Sequence, residues 1–174
     1  YYSVFNLTQC LGIKIPEKEI KSFNPIEECE RIVNGYKDNP EIKEGEPRAY
    51  YVPSEDVINM PMRNIFTSPG EYYSTLFHEM THSTGNEKRL KRKGLVENIH
   101  FGSETYSKEE LIAEMGSSFL CADGGISSTV IENQSAYIQG WLKKIRGDSK
   151  LVIMAASQAQ KACNYILGKE EKIK

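Results

Sequence analysis

The stretch Ser68-Pro69-Gly70-Glu71-Tyr72-Tyr73-Ser74-Thr75-Leu76-Phe77-His78-Glu79-Met80-Thr81-His82-Ser83-Thr84-Gly85 carries both the fold signal and the chemical signal of this chain. Ser68 followed three residues later by Glu71 is a capping box, and Pro69 stands at the first helical position, where its missing N–H leaves no bond unmade. Apolar residues then recur at Tyr72, Leu76 and Met80 and at Tyr73 and Phe77, the spacing of helix faces. Gly85 predicts a stop just beyond His82. On the helix so delimited lies His78-Glu79-Met80-Thr81-His82, an H-E-x-x-H. Residues i and i+4 share one face, so both imidazoles can reach a single ion. Zn²⁺ accepts imidazole nitrogen at about 2.0–2.1 Å and, in catalytic sites, keeps a position for water. Glu79 can act as general base toward that water, whose pKa the metal lowers to about 7.

The motif has a bland alternative, an amphipathic helix with two exposed histidines. The chain holds three His and twenty Glu in 174 residues. At those frequencies the pattern arises by chance about 0.006 times per chain. The cap before the motif and the stop after it favour a site.

A third ligand is needed. Gly85 follows His82 as in the longer H-E-x-x-H-x-x-G-x-x-H pattern, but the position of the third histidine holds Lys88, so that pattern fails. His100, the remaining histidine, reads as a loop residue. The segment Glu109-Glu110-Leu111-Ile112-Ala113-Glu114-Met115-Gly116-Ser117 offers carboxylates instead. Glu110 and Glu114 share a face with Ala113, Ser117 and Cys121, a small and weakly polar stripe that another helix can approach closely. Glu109 fits a solvated helix acid best. The E-x-x-A-E pattern is similar to the E-x-x-x-D of gluzincin metallopeptidases. That resemblance implies Glu110 as metal ligand and Glu114 as the residue that orients a histidine from behind, with the reverse assignment left open. Tyr106, just before these acids, is a candidate donor to a developing oxyanion, though ordinary ring packing competes with that role.

Around this pair of segments the chain reads as one α+β domain. Residues 1–7 alternate like a strand. A helix is predicted over 25–37 with Asn24 as cap and Pro25 at the first position. Residues 48–52 and 57–60 read as a hairpin, with Pro61 suggesting that the second strand lies at an edge. Tyr50 and Tyr51 on that hairpin offer an edge to an extended peptide. Ser107 with Glu110 predicts a helix opening that runs to about 122, and further helices are expected at 133–146 and 148–167, the last closed by Gly168.

Composition bounds the partners. Net charge is −2, so the domain as a whole has no electrostatic case for nucleic acid or membrane. The run Lys88-Arg89-Leu90-Lys91-Arg92-Lys93 is the exception. Lys88, Arg89, Lys91, Arg92 and Lys93 could contact a phosphate backbone, although such a run is usually a solvated segment. With 39% hydrophobic residues, 13 Gly and 7 Pro, disordered and collagen-like readings fail. No 18-residue apolar run predicts a membrane span. Cys10, Cys29, Cys121 and Cys163 form no metal-knuckle spacing and read as reduced thiols. The opening Tyr1-Tyr2-Ser3-Val4-Phe5, without Met, predicts a fragment of a longer intracellular protein.

Several separated stretches together resemble a known family. They are Pro25-Ile26-Glu27-Glu28-Cys29-Glu30, Tyr72 to Gly85, Tyr106-Ser107-Lys108-Glu109-Glu110-Leu111 with Ala113-Glu114, and Ala155-Ala156-Ser157-Gln158-Ala159-Gln160-Lys161-Ala162. In this order they are similar to the C-terminal zincin-like metallopeptidase domain of ArdC-type antirestriction proteins of mobile elements. The resemblance implies a zincin-like fold with a small sheet, an active-site helix and C-terminal helices, and an N-terminal single-stranded-DNA-binding domain that this chain lacks. It further implies action in the cytoplasm, on conjugative or phage-like mobile DNA, in protection from restriction. The expected site is then His78, His82 and Glu110 on Zn²⁺, with Mn²⁺ or Co²⁺ able to use similar ligands, Glu79 as base and Glu114 in support. The expected substrate is a protein or peptide such as a host restriction component. The rival is a binding module that keeps the metal scaffold and contacts DNA or protein without turnover.

Overall fold

The computed structural model describes residues 24–92, 104–126 and 149–169. Among them the chain runs α1 (Glu27–Gly35), β1 (Glu41–Glu44), β2 (Tyr50–Val52), β3 (Val57–Met60), a 3-10 turn at Arg63–Ile65, α2 (Pro69–Ser83), α3 (Glu104–Asp123) and α4 (Ser149–Ile166). The mixture of a small sheet followed by helices is the α+β class expected. The strand expected at 1–7 and the helix expected at 133–146 lie outside the described residues.

The helix α2 begins as the capping box predicts. Ser68 Oγ accepts from the Glu71 N–H at 3.2 Å, and the Glu71 carboxylate accepts from the Thr67 N–H at 3.0 Å. Its far end falls at Ser83, just beyond His82 as expected, but without a left-handed glycine. Thr84 in right-handed helical geometry (φ −62°, ψ −20°) closes the helix, and Gly85 is not in the left-handed region. The last carbonyls are instead taken by the following turn, with the Gly85 N–H donating to His82 O at 2.9 Å. Both apolar faces of α2 are buried, with Tyr72, Tyr73, Leu76, Phe77 and Met80 at the centre of the main core. Each such side chain contributes about 1.5–3 kcal/mol by leaving water.

The sheet has the order β1-β3-β2, with β1 parallel and β2 antiparallel to β3. The predicted hairpin is present, pairing Tyr51 with Ile58 and Val52 with Val57. Pro61 does not mark an edge: β3 is the central strand, and the proline falls after Met60, where the ladder needs no N–H. The strand β1 was not anticipated, because Glu41-Ile42-Lys43-Glu44 is mostly charged and largely exposed, as suits an edge.

Other boundaries shift for local reasons. Asn24 is not a cap and Pro25 is not the first helical residue of α1. Ile26 is the N-cap, held extended while its side chain packs on the core, and three acids in the first turn complement the helix dipole instead. Ser107 is likewise not a cap, since α3 starts at Glu104 with no Pro or Gly to interrupt the turn before it. Gly125 (φ 72°) and Gly168 (φ 62°) end α3 and α4 in the left-handed conformation. At each end two N–H groups reach back to the last turn, as in Ile126 N to Cys121 O at 2.9 Å and Lys169 N to Asn164 O at 2.8 Å.

The packing of α2 on α3 positions the site. Ser117 Oγ donates to Ser74 O at 2.7 Å, and a Cβ on Gly116 would lie 2.5 Å from Thr81 Cγ2. The two helices are antiparallel, because partners along α3 descend in number as α2 advances from Ser74 to His82. Ala113, Ser117 and Cys121 are buried, so the small stripe does what its residue sizes predict.

Candidate metal centre

His78 and His82 project from α2 toward α3 one helical turn apart, and Glu110 meets both. The two Nε2 atoms stand 3.1 Å apart. Glu110 Oε2 lies 3.7 Å from His78 Nε2, and its Oε1 lies 3.5 Å from His82 Nε2. Ligands at about 2.0–2.1 Å from a tetrahedral ion stand roughly 3.4 Å from one another, and these separations bracket that value. The three residues form the candidate metal-holding group among the described residues. Two imidazole nitrogens and one carboxylate suit a divalent transition metal with an open position for water.

The far ring nitrogens face carboxylates as well. His78 Nδ1 is 3.6 Å from Glu114 Oε1, slightly beyond a hydrogen bond. His82 Nδ1 is 3.3 Å from Glu109 Oε1. A carboxylate at Nδ1 keeps the proton there and leaves the Nε2 lone pair for a metal. Glu110 thus lies before both Nε2 atoms and Glu114 on the far side of the His78 ring. Glu79 is buried beside His78 on α2.

Glu109 departs from expectation. It is not a solvated helix acid but a buried one, 5% exposed, between His82 and Arg92. Its partner is a cation of the run that the sequence marks as a solvated segment. Arg92 is 7% exposed and donates through Nε to both oxygens of Glu109, at 3.2 and 3.0 Å. Arg89 is also turned inward, its guanidinium donating to Asp56 Oδ1 and Asp38 O. Of the basic run, Lys88 and Lys91 are exposed and Lys93 lies outside the described residues. The side chain of Tyr106 and all of His100 are likewise outside them. Tyr51 is half-buried and donates to Asp56 Oδ1 at 2.8 Å, while Tyr50 on the sheet edge is exposed.

Charge explains the titration pattern. Burial alone works to lower the His78 imidazole, but Glu110, Glu79 and Glu114 around it outweigh that and raise it. Burial raises Glu114, and Glu110 and Glu79 add to this against the pull of His78 and His82. Burial would raise Glu109 too, yet His82 and Arg92 hold its carboxyl below the ordinary value. This excess of carboxylates favours a divalent cation for the same reason that it raises the His78 imidazole.

The chain belongs to the zincin-like metallopeptidase family, which it matches over residues 27–158. It is similar to the antirestriction protein ArdC from plasmid R388, whose Mn(II)-bound crystal structure superposes with a TM-score of 0.66 at 36% identity, over 84% of this chain and 53% of that one. It is 35% identical over 174 residues to the DNA primase TraC of Escherichia coli, covering 99% of this chain and 16% of the relative. It is 34% identical over 166 residues to the uncharacterized protein y4eC of Sinorhizobium fredii (strain NBRC 101917 / NGR234), covering 95% of this chain and 52% of that protein. The chain therefore spans about half or less of the length of these relatives. No helix among the described residues is long and apolar enough to cross a membrane.

Proposed function

We propose that this domain is a metal-dependent peptidase in which His78, His82 and Glu110 hold Zn²⁺, with Mn²⁺ or Co²⁺ able to replace it. The carrying observation is the convergence of two Nε2 atoms 3.1 Å apart with the Glu110 carboxylate. When bound, the metal acts as a Lewis acid toward a carbonyl oxygen and lowers the pKa of water. Glu79, buried beside His78, takes a proton from the attacking water and passes it to the leaving nitrogen. Glu114 keeps the His78 ring oriented from its Nδ1 side. The edge strand β2, with Tyr50 exposed, suits a substrate chain bound as an added strand. The Mn(II)-bound state of ArdC supports a metal-holding role for this domain, and the relatives' names, antirestriction protein and DNA primase, support a DNA-related setting. The substrate we assign is a protein component of a restriction system.

Glu79→Gln tests this reading against a binding module without turnover. Hydrolysis of a protein substrate should fall at least about 100-fold, the scale of general-base catalysis, with the fold and the bound metal unchanged. Protection from restriction in cells that survived the substitution would contradict proteolysis as the biological role.

A further inference from the structure

The buried pair Arg92–Glu109 takes no part in the hydrolysis proposed above, yet it adjoins a ligand. Arg92 also donates to Thr84 Oγ1 at 2.6 Å and to Thr81 O at 2.8 Å, and so is seated at the C-terminal end of α2, where a cation meets the free carbonyls. A further Arg92 nitrogen donates to Glu109 Oε1 at 2.6 Å, and that same oxygen is 3.3 Å from His82 Nδ1. Arg92, Glu109 and His82 thus form one chain of contacts ending at an Nε2 that stands 3.1 Å from His78 Nε2.

We infer that Arg92 and Glu109 are positioning residues of the metal centre: Arg92 clamps the Glu109 carboxylate, which holds His82 through its Nδ1–H with Nε2 turned to the ion. The inference rests on His78, His82 and Glu110 being the ligands. A planar guanidinium engaging both carboxylate oxygens fixes the direction of Glu109 as well as its charge, which a lysine in that place would not do. Partners behind ligating histidines typically change metal affinity about 10- to 100-fold when removed. The segment 85–92 is thereby tied to the metal centre, and its buried Arg92 works on His82 through Glu109.

The test is Co²⁺ binding to the purified, metal-stripped chain, read by chelator competition and by the visible absorption at saturation. Glu109→Gln and Arg92→Met should each weaken Co²⁺ binding about 10- to 100-fold. The double variant should bind no more weakly than the poorer single, because both act through one contact chain. At saturating Co²⁺ the visible bands of Glu109→Gln should shift, whereas Glu87→Gln, an exposed acid on the same segment, should leave affinity and bands unchanged. Arg92→Met leaves a buried unpaired carboxylate; if it does not fold, the double variant, which removes both charges, carries the test. A folded Glu109→Gln or double variant with the affinity and spectrum of the unaltered chain overturns the positioning role alone. Losses that multiply in the double variant overturn the single-chain coupling. No Co²⁺ binding by the unaltered chain overturns the ligand reading together with this inference.

Discussion

Each of the two site histidines has a second ring nitrogen, and a metal-binding histidine needs an acceptor there. The acids near the small stripe of α3 number three: Glu109, Glu110 and Glu114. On the proposed reading one ligand and two acceptors use all three, and the contacts suit that division, with Glu110 before both Nε2 atoms, Glu114 3.6 Å from His78 Nδ1 and Glu109 3.3 Å from His82 Nδ1. Helical spacing alone could not find Glu109, because it lies one residue off the Glu110–Glu114 face. The acceptor arithmetic could have found it. The burial of Arg92 was not legible either, since a cation in a basic run gives no sign of folding back onto an acid seventeen residues later. Thiol chemistry gives a test at this scale. Burial, with a smaller contribution from nearby Cys121, pushes the Cys29 thiol up to about 12, and burial does the same for Cys163. Below the ordinary value of 9.0 both thiols are protonated, folded or unfolded, and their contribution to stability is complete. Above it the unfolded thiols ionise first, so that contribution falls as pH rises toward about 12. A thiol reagent at pH 7 should therefore label Cys29 and Cys163 only after denaturation, as read by peptide mass spectrometry. Labelling of either in the native chain would contradict their burial.

The contact of α2 with α3 is set by the absence of a side chain. A Cβ at Gly116 would lie 2.5 Å from Thr81 Cγ2 and 2.6 Å from its Oγ1. Thr81 cannot swing away, since its hydroxyl donates to Phe77 O at 2.7 Å in a fully buried position. Gly116→Ala gains about 1 kcal/mol of helix propensity but forces the helices apart, which costs about 1–3 kcal/mol by overpacking. The clash should leave the chain destabilised by up to about 2 kcal/mol, read from urea unfolding, and metal affinity should fall as Glu110 recedes from the histidines. Adding Thr81→Ala should recover part of both, and a stable Gly116→Ala chain with full affinity would show the contact to be loose. Element identity was legible where local signals were strong: the Ser68 cap, the period of α2 and the Gly168 stop. It was not legible at β1, whose charged residues become a strand only because β3 offers a parallel partner. Helix starts erred where the motif was degenerate, since Ser-x-x-Glu can lie inside a helix as well as at its start.

At the scale of the molecule, the division of labour follows from burial. The sheet and α1 cover one side of α2, while α3 approaches the side that carries His78 and His82. An active-site helix with a core on one flank and a carboxylate-bearing helix on the other holds its ligands on rigid elements, which favours a site pre-formed before metal arrives. The α+β class was legible because strand and helix periods differ. The approach of α3 to the histidine face of α2 was legible because H-E-x-x-H demands a third donor and the small stripe beside Glu110 marks where a helix can come close. Anomalous diffraction from crystals of the purified chain, at the absorption edge of the metal it carries, tests the central claim most directly. The account predicts one peak between His78 Nε2, His82 Nε2 and the Glu110 carboxylate, with Glu109 and Glu114 behind the rings. A folded chain with no peak there, or a peak held by Glu114 with Glu110 turned away, would contradict it.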